Sequence, residues 1–453
     1  MRIALVSDAI YPYNKGGKEK RIYELSTRLV KRGHTVTIYC MQWWEGSRTR
    51  VDEGVQLKAI SPYIPLYAGE RRSIREAILF SLHCLRLLKE DFDILDVDHM
   101  PHLVLFSTKM VALLKRRKLH ATWNEVWGAS YWIKYMGLSG VLAALIEKIT
   151  STLPDKFTAV SEHTARELTT KLKVPRHKIA VVPNGISMAE LERVAPAVER
   201  SDVIFVGRLL SHKNIDVLIR SLALLKPKYP AIQCVIVGKG PESSHLVELA
   251  QKQGLLENVK FIDGVEDSVE LYARMKSSRV FAFPSTREGF GIVVLEANGC
   301  GLPVITTDDQ QNAARYLIQQ DQNGTTISLS ESTLASAIDT YLATDTNRAS
   351  YESFLREYEW DNLAQKVQDI YLTLCPNGGK GGGCRDSAWC LSCDPQRGQA
   401  PGTIPTGSSL CLSALGYHNR QPKQDGHPGP GQAPGAVPTG SSSVPGGESR
   451  SEQ

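Results

Sequence analysis

Short apolar runs alternate along the chain with stretches in which apolar residues recur every three or four positions, from the first residue onward. Residues 3–6 form a run that ends at Ser7 and Asp8 and predicts a strand. A loop with Gly16 and Gly17 follows, and then Ile22, Leu25, Leu29 and Val30 fall at helical spacing. Gly33 stops that helix, and residues 36–39 predict the next strand, with further strands at 94–97, 120–123 and 157–160. Strand–helix–strand repetition of this kind places a parallel sheet between layers of helices.

The pattern begins again after Pro183, Asn184 and Gly185. Strands are predicted at 203–206, 234–237, 259–262, 280–283 and 303–306, with a helix marked by Ile215, Leu218, Ile219 and Leu222. Two α/β units of similar size result, an N-terminal one over 1–183 and a second over 184–357. Leu363, Val367, Ile370 and Tyr371 then predict a closing helix within 358–375. From Pro376 to residue 453 Gly, Pro, Ser and Gln dominate, and a GQAPG-x-x-PTGSS segment occurs twice, from Gly398 and from Gly431. Such a tail buries too little apolar area to offset its ordering entropy and is expected to be disordered.

Composition and charge narrow the picture only a little. At 453 residues, 42% hydrophobic and 22% charged, the chain has the make-up of a soluble multidomain protein. Its formal net charge of +5 is spread along the sequence, so it does not point to nucleic acid. No secretory signal and no run of about 20 apolar residues is visible. Cys40, Cys84, Cys234, Cys300 and Cys375 are scattered without metal-ligand spacing, which suits reduced thiols. The expected location is the cytoplasm. In the tail, Cys384, Cys390 and Cys393 lack a suitably spaced fourth ligand, so the unstructured reading outweighs a zinc site.

The strongest chemical signal is STREGFGIVVLEANGCGLPVI, residues 285–305. Glu288 follows a buried strand and precedes Gly289, Phe290 and Gly291; a helix starts near Ile292, and Glu296 lies about one turn into it. Glycines there let a backbone approach a ligand closely, and the free amides of a helix start suit a phosphate. Two carboxylates, one on the loop and one on the helix, can grip two parts of one ligand. The plain alternative is a strand–turn–helix junction with acids decorating the helix N-terminus.

With these residues in place the chain resembles the retaining glycosyltransferases of family 4, which have the GT-B fold of two Rossmann-like domains facing across a cleft. Glu288 and Glu296 form the E-x7-E motif of that family. GGKEKR (16–21) is similar to its N-terminal glycine loop, and RGHTV (32–36) to the start of its second strand. VPNGI (182–186) resembles the entry to the second domain, and VGRLLSHKN (206–214) and VGKGPE (237–242) its next two loops. The likeness covers residues 1 to 374 and leaves out the tail.

The resemblance implies a metal-independent, retaining transfer of sugar from a nucleotide-sugar donor to a glycolipid or polysaccharide precursor, with no cofactor. It assigns Arg208 and Lys213 to the donor diphosphate in place of a metal ion, Glu288 to the transferring sugar and Glu296 to the ribose hydroxyls. Gly289, Phe290, Gly291 and Ile292 would line the donor, the last three offering backbone amides, Val265 would meet the base, and Gly16 and Gly17 would close over the phosphates. HATWNEVWG (120–128) departs from the family loop, because Asn124 stands where a histidine is usual, close to sugar and acceptor. Asparagine keeps hydrogen-bonding capacity but loses proton traffic and positive charge. His99 and His102 are read as ordinary loop histidines, with compensation for the missing imidazole as the lesser alternative. Asp96-Val-Asp98 has the D-x-D form of a metal-binding pair but lies away from the donor motifs, so no metal is expected there.

Two other function classes stay open at this point, a non-catalytic nucleotide-sugar binding subunit and a sugar-nucleotide epimerase of the same fold. A dinucleotide oxidoreductase is disfavoured because Ser243 stands where the third glycine of the Gly238-Lys239-Gly240 loop belongs. Lys115-Arg116-Arg117-Lys118 and the stripe Val141, Leu142, Leu145, Ile149 could together dock on an anionic membrane, giving a peripheral place at the inner face of the cell membrane. A solvated basic end beside a core-facing helix is the slightly stronger reading of the same residues.

Overall fold

The structure is a computed structural model that describes residues 1–375 apart from 69–70, 266 and 345–350; the expected tail at 376–453 lies outside the described residues. The strands of the first lobe are β1 (Arg2–Val6), β2 (Thr35–Met41), β3 (Thr49–Asp52), β4 (Val55–Ser61), the short pair β5 (Tyr67–Ala68) and β6 (Arg71–Arg72), β7 (Ile94–Asp98), β8 (Lys118–Trp123), β9 (Lys156–Ala159) and β10 (Ile179–Val181). Eight of them form one sheet in the order β10-β9-β8-β7-β1-β2-β4-β3, parallel throughout except for β3, which runs antiparallel to β4. Its helices are α1 (Gly17–Lys31), α2 (Ile74–His83), α3 (Val104–Leu114), α4 (Gly128–Met136), α5 (Ser139–Thr150) and α6 (Glu162–Thr170).

The second lobe adds β11 (Val203–Val206), β12 (Cys234–Val237), β13 (Val259–Ile262), β14 (Val280–Phe283), β15 (Val304–Thr307) and β16 (Gly324–Ile327), all parallel in the order β13-β12-β11-β14-β15-β16. Its helices are α7 (Met188–Glu192), α8 (Ile215–Leu225), α9 (Ser243–Lys252), α10 (Ser268–Lys276), α11 (Ile292–Gly299), α12 (Glu331–Ala343) and α13 (Glu352–Leu355). The inner strands read VIFV, CVIV and VFAF because helices cover both faces of the sheet, so neither face needs polar residues.

The last helix, α14 (Trp360–Leu374), returns to the first lobe. Trp360, Leu363, Ala364, Val367 and Tyr371 share a core with Leu25 and Leu29 of α1 and with Ile3 and Leu5 of β1. Truncating the fully buried Trp360 to alanine removes packing worth about 3–5 kcal/mol. The two chain crossings between lobes are stitched together: the Ile186 amide donates to the Tyr358 carbonyl at 2.9 Å, and the Trp360 amide to the Ile186 carbonyl at 3.2 Å. Arg21 of α1 fastens the first crossing by donating to the Asn184 side chain at 3.2 Å.

Besides the short pair β5 and β6, strands β3, β4, β10 and β16 go beyond those expected. They lie at or beside sheet edges, where one wet face breaks the apolar run: β4 reads VQLKAIS, alternating rather than continuous. A second difference concerns α5. Its stripe of Val141, Leu142, Leu145 and Ile149 faces solvent, not the core as the residues slightly favoured.

Candidate active site

In open parallel sheets the ligand crevice lies beyond the carboxyl ends of the strands. Here the loop after β14 meets the loops after β1 and β8 across such a crevice, and Arg208 in the loop after β11 reaches Tyr67. Gly291 starts α11 with φ +89°, and a Cβ there would come within 2.6 Å of the Ala314 Cβ, so a larger residue would displace the helix start. The loop before it is pinned by its backbone, with the Glu288 amide donating to Gln311 at 3.1 Å and its carbonyl accepting from Ala313 at 3.0 Å.

Glu288 and Lys213, named separately from the sequence, are in direct contact, the ammonium donating to the carboxylate. Lys213 closes the 3-10 turn Ser211–Lys213 after β11, and its ammonium stands 4.9 Å from the centre of the Phe283 ring. Arg208, on the same loop, is exposed with its guanidinium 5.9 Å from the Tyr67 ring centre, and it has no ion-pair partner among the described residues. Arg287 was not singled out from the sequence, yet it stacks 3.6 Å from the Tyr131 ring centre and pairs with Glu125 at 2.9 Å. His212 registers the field of these groups. Burial first, then Lys213, Arg287 and Arg208, push its pKa down to about 4. Three cations against Glu288 and Glu125 make this wall an anion-attracting one.

The opposite wall comes close. A Cβ on Gly289 would lie 2.5 Å from the Asn124 carbonyl oxygen, and the Ser161 hydroxyl donates to the Gly289 carbonyl at 3.0 Å. A Cβ on Gly17 would touch Ile292 at 3.8 Å, so the glycine loop meets the start of α11; Gly16 is the residue before α1. The Asn124 amide donates to Asp98 at 2.9 Å, and Asp98 also accepts from Lys18 at 2.6 Å. Lys18 in turn donates to Asp8 at 2.8 Å, and Arg72 pairs with the other oxygen of Asp8. Burial raises the pKa of Asp98, but Lys18 and His99 more than offset this and hold it at about 2. With its nitrogen fixed on a carboxylate, the Asn124 carboxamide turns its oxygen away from Asp98.

His99 and His102 lie in the loop between β7 and α3, as expected, but inside the lobe rather than in solvent. Both are buried, stacking against Trp123 at 4.7 and 5.6 Å between ring centres, and burial together with His99 pushes the His102 pKa well down. Asp96 accepts from the Tyr371 hydroxyl and pairs with His120 at 2.8 Å. Each acid of the D-x-D pair is therefore taken up by the lobe's own donors.

Glu296 accepts from the Tyr272 hydroxyl at 3.0 Å and from Lys20 of the first lobe at 3.4 Å, while Lys20 also donates to Tyr272 at 2.7 Å. Phe290 is buried, its ring centre 6.3 Å from that of Tyr358. Val265 is half-buried against the second-lobe core, on the loop after β13. Sequence reasoning missed Lys18, Lys20, Arg287, His212 and Tyr272. The two lysines and Arg287 lie inside quoted motifs, but charge in a loop reads as solvated until its partners are known.

Known proteins share this architecture. The family model for glycosyl transferases group 1 matches residues 189–357, and that for glycosyltransferase family 4 matches residues 15–190. The phosphatidylinositol N-acetylglucosaminyltransferase gpi3 subunit of Schizosaccharomyces pombe is 24% identical over 390 residues, covering 82% of this chain and 80% of its own length. Sucrose-phosphate synthase from Thermosynechococcus elongatus superposes with a TM-score of 0.68 at 18% identity, over 82% of this chain and 98% of that one. Anabaena Alr3699/HepE in complex with UDP and glucose gives 0.62 at 17% identity, over 82% and 99% of the two chains. The fold is GT-B, an architecture of sugar-transferring enzymes. The chain belongs to the group 1 glycosyltransferases, with a first lobe of the family 4 type. It is an enzyme that transfers sugar.

Proposed function

We propose that the enzyme moves a sugar from a nucleotide-sugar donor to a glycolipid or polysaccharide precursor, with retention at the anomeric carbon and without a metal ion. The observation that carries this reading is the Lys213–Glu288 pair flanked by Arg208 and Arg287, facing the Asn124 loop across the crevice. Breaking the glycosidic bond leaves a nucleoside diphosphate, and Arg208 and Lys213 meet the charge that develops on it. Glu288 orients the sugar, and the amides at Phe290, Gly291 and Ile292 take phosphate oxygens. Gly16 and Gly17 close from the other lobe, Val265 packs on the base, and Glu296 exchanges Lys20 for the ribose hydroxyls. The similarity to a protein bound to UDP and glucose supports a donor of this class.

Retention follows from attack on the face that the diphosphate leaves, with the departing phosphate accepting the acceptor's proton. That route needs no strong protein base, which fits Asn124. Its carboxamide oxygen, set by Asp98, accepts a hydrogen bond from a sugar hydroxyl. Closure of the lobes excludes water.

A thermal-shift screen of the full chain against UDP-, GDP-, ADP- and dTDP-sugars, followed by a donor-hydrolysis assay on each hit, tests the reading. One stabilising donor with slow hydrolysis is expected. Stabilisation by none of them would remove the donor-site assignment.

A further inference from the structure

The α4–α5 hairpin is built inside out. Its only acid, Glu147, is fully buried, whereas Leu138, Val141, Leu142, Leu145 and Ile149 face solvent, Leu138 at 93% and Leu142 at 61% exposure. Val141 and Leu142 are neighbours and the other steps are three or four residues, so the five form one continuous stripe along α5 from its N-cap. Five aliphatic side chains in a row exceed the scattered exposure that an ordinary soluble surface carries. The only other charged residues of 128–150 are Lys134 and Lys148, both exposed.

The buried side of the hairpin serves the crevice. Glu147 accepts from the amides of Trp127 and Gly128 at 2.9 and 2.8 Å and from the Trp132 indole at 3.0 Å. It thereby ties α5 to the segment that continues from Asn124. Tyr131 of α4 carries the Arg287 guanidinium, next to Glu288 in sequence. The outward aliphatic stripe and the reaction crevice are thus two sides of one small element.

A second patch adds to it. Connections β7–β8 and β8–β9 are both parallel crossovers in the same direction, and right-handedness sets α3 and the hairpin on one face of the sheet. Helix α3 ends in Leu113 and Leu114, 65% and 66% exposed, followed by Lys115, Arg116, Arg117 and Lys118.

We infer that this face docks on the surface of an anionic lipid leaflet, with the α5 stripe entering the headgroup–acyl boundary and the exposed Arg116, Lys134 and Lys148 meeting lipid phosphates. Charge decides the occupant. A second copy of the same face would set Lys134 and Lys148 against their own kind with no exposed acid on the hairpin to answer them, whereas a leaflet supplies the missing negative charge. The inference rests on the transfer reading and narrows the acceptor to a molecule anchored in that leaflet, presented at the mouth of the crevice.

The test is sedimentation of the full chain with phosphatidylcholine vesicles, with and without phosphatidylglycerol, at low and high salt. Binding is expected with phosphatidylglycerol at low salt, weakened by salt. Leu142→Glu combined with Leu145→Glu should lower partitioning by at least about tenfold. Lys134→Glu combined with Lys148→Glu should cost about fivefold per lysine and only on anionic vesicles. Donor hydrolysis without vesicles should be unchanged in both variants, which shows that they fold. Absence of wild-type sedimentation at low salt overturns the docking face, as does equal partitioning of the leucine variant. A concentration-dependent dimer that the leucine variant abolishes, without vesicle binding, also overturns it. Vesicle binding without any donor hydrolysis would strike the transfer reading and leave docking standing.

Discussion

The two walls of the crevice handle charge in opposite ways. On the second lobe Arg208, Lys213 and Arg287 outnumber the carboxylates that answer them, and burial together with this surplus holds His212 neutral. On the first lobe Lys18 sits between Asp8 and Asp98, Arg72 completes Asp8, and Asn124 completes Asp98, so this buried cluster is matched internally, while Lys20 and Glu125 reach across the crevice. A wall with uncompensated charge is poised for an anionic ligand; a wall with matched charge holds its own geometry and offers neutral hydrogen-bonding groups. The difference teaches that the second-lobe wall is organised for electrostatics and the first-lobe wall for shape and orientation.

The contrast can be broken most strongly at Lys213 and Glu288. Glu288→Ala should take donor turnover below detection, and Lys213→Ala should lower kcat by about 10²–10³-fold, both measured on variants whose thermal stability is intact. Wild-type rates in either would remove the ligand-directed reading of that wall. Substitutions at Asp98 and Arg208 sharpen the comparison by splitting stability from binding. Asp98→Asn leaves Lys18 half-paired in a buried setting and should cost about 3 kcal/mol in denaturant unfolding. Arg208→Ala should leave unfolding within about 0.5 kcal/mol of wild type while weakening donor binding. If both lost stability equally, the walls would not differ in kind.

Lys20 and His212 give smaller effects. Lys20 holds Glu296 across the crevice, so Lys20→Met should tighten donor binding by roughly two- to fivefold in a titration, the worth of about one net hydrogen bond. His212 has a pKa of about 4 in the free enzyme against an ordinary 6.5, and an anion among its cationic neighbours raises it. The donor complex therefore takes up a proton above pH 4, and affinity rises as pH falls toward that value. Calorimetric titration in buffers of different ionisation enthalpy should detect this uptake in mild acid and none at alkaline pH. The same shift lowers stability as pH falls from 6.5 to about 4, because the unfolded chain binds a proton that the folded one refuses.

The convergence of the second-lobe wall was largely legible in the sequence because its residues come in runs. Glu288 to Ile292 and Arg208 to Lys213 are contiguous segments at strand–helix junctions, and a junction places its residues wherever the strand ends. The inner strands were legible for a related reason, since burial on both faces writes an unbroken apolar run. The first-lobe wall draws Asp8, Lys18, Arg72, Asp98 and Asn124 from five separate stretches, and no local pattern announces that they converge. The α5 stripe was legible as a stripe, but periodicity alone does not say which side of a helix meets solvent. That was decided by Glu147, whose three internal donors turn the polar edge inward.

The measurement that bears most directly on the charged donor wall is donor-sugar turnover by the full chain in excess chelator, compared with the same assay in manganese. Equal rates are expected, because Arg208, Lys213 and Arg287 already supply the positive charge that the departing diphosphate requires. A rate abolished by chelator and restored by manganese would contradict this and return attention to Asp96 and Asp98.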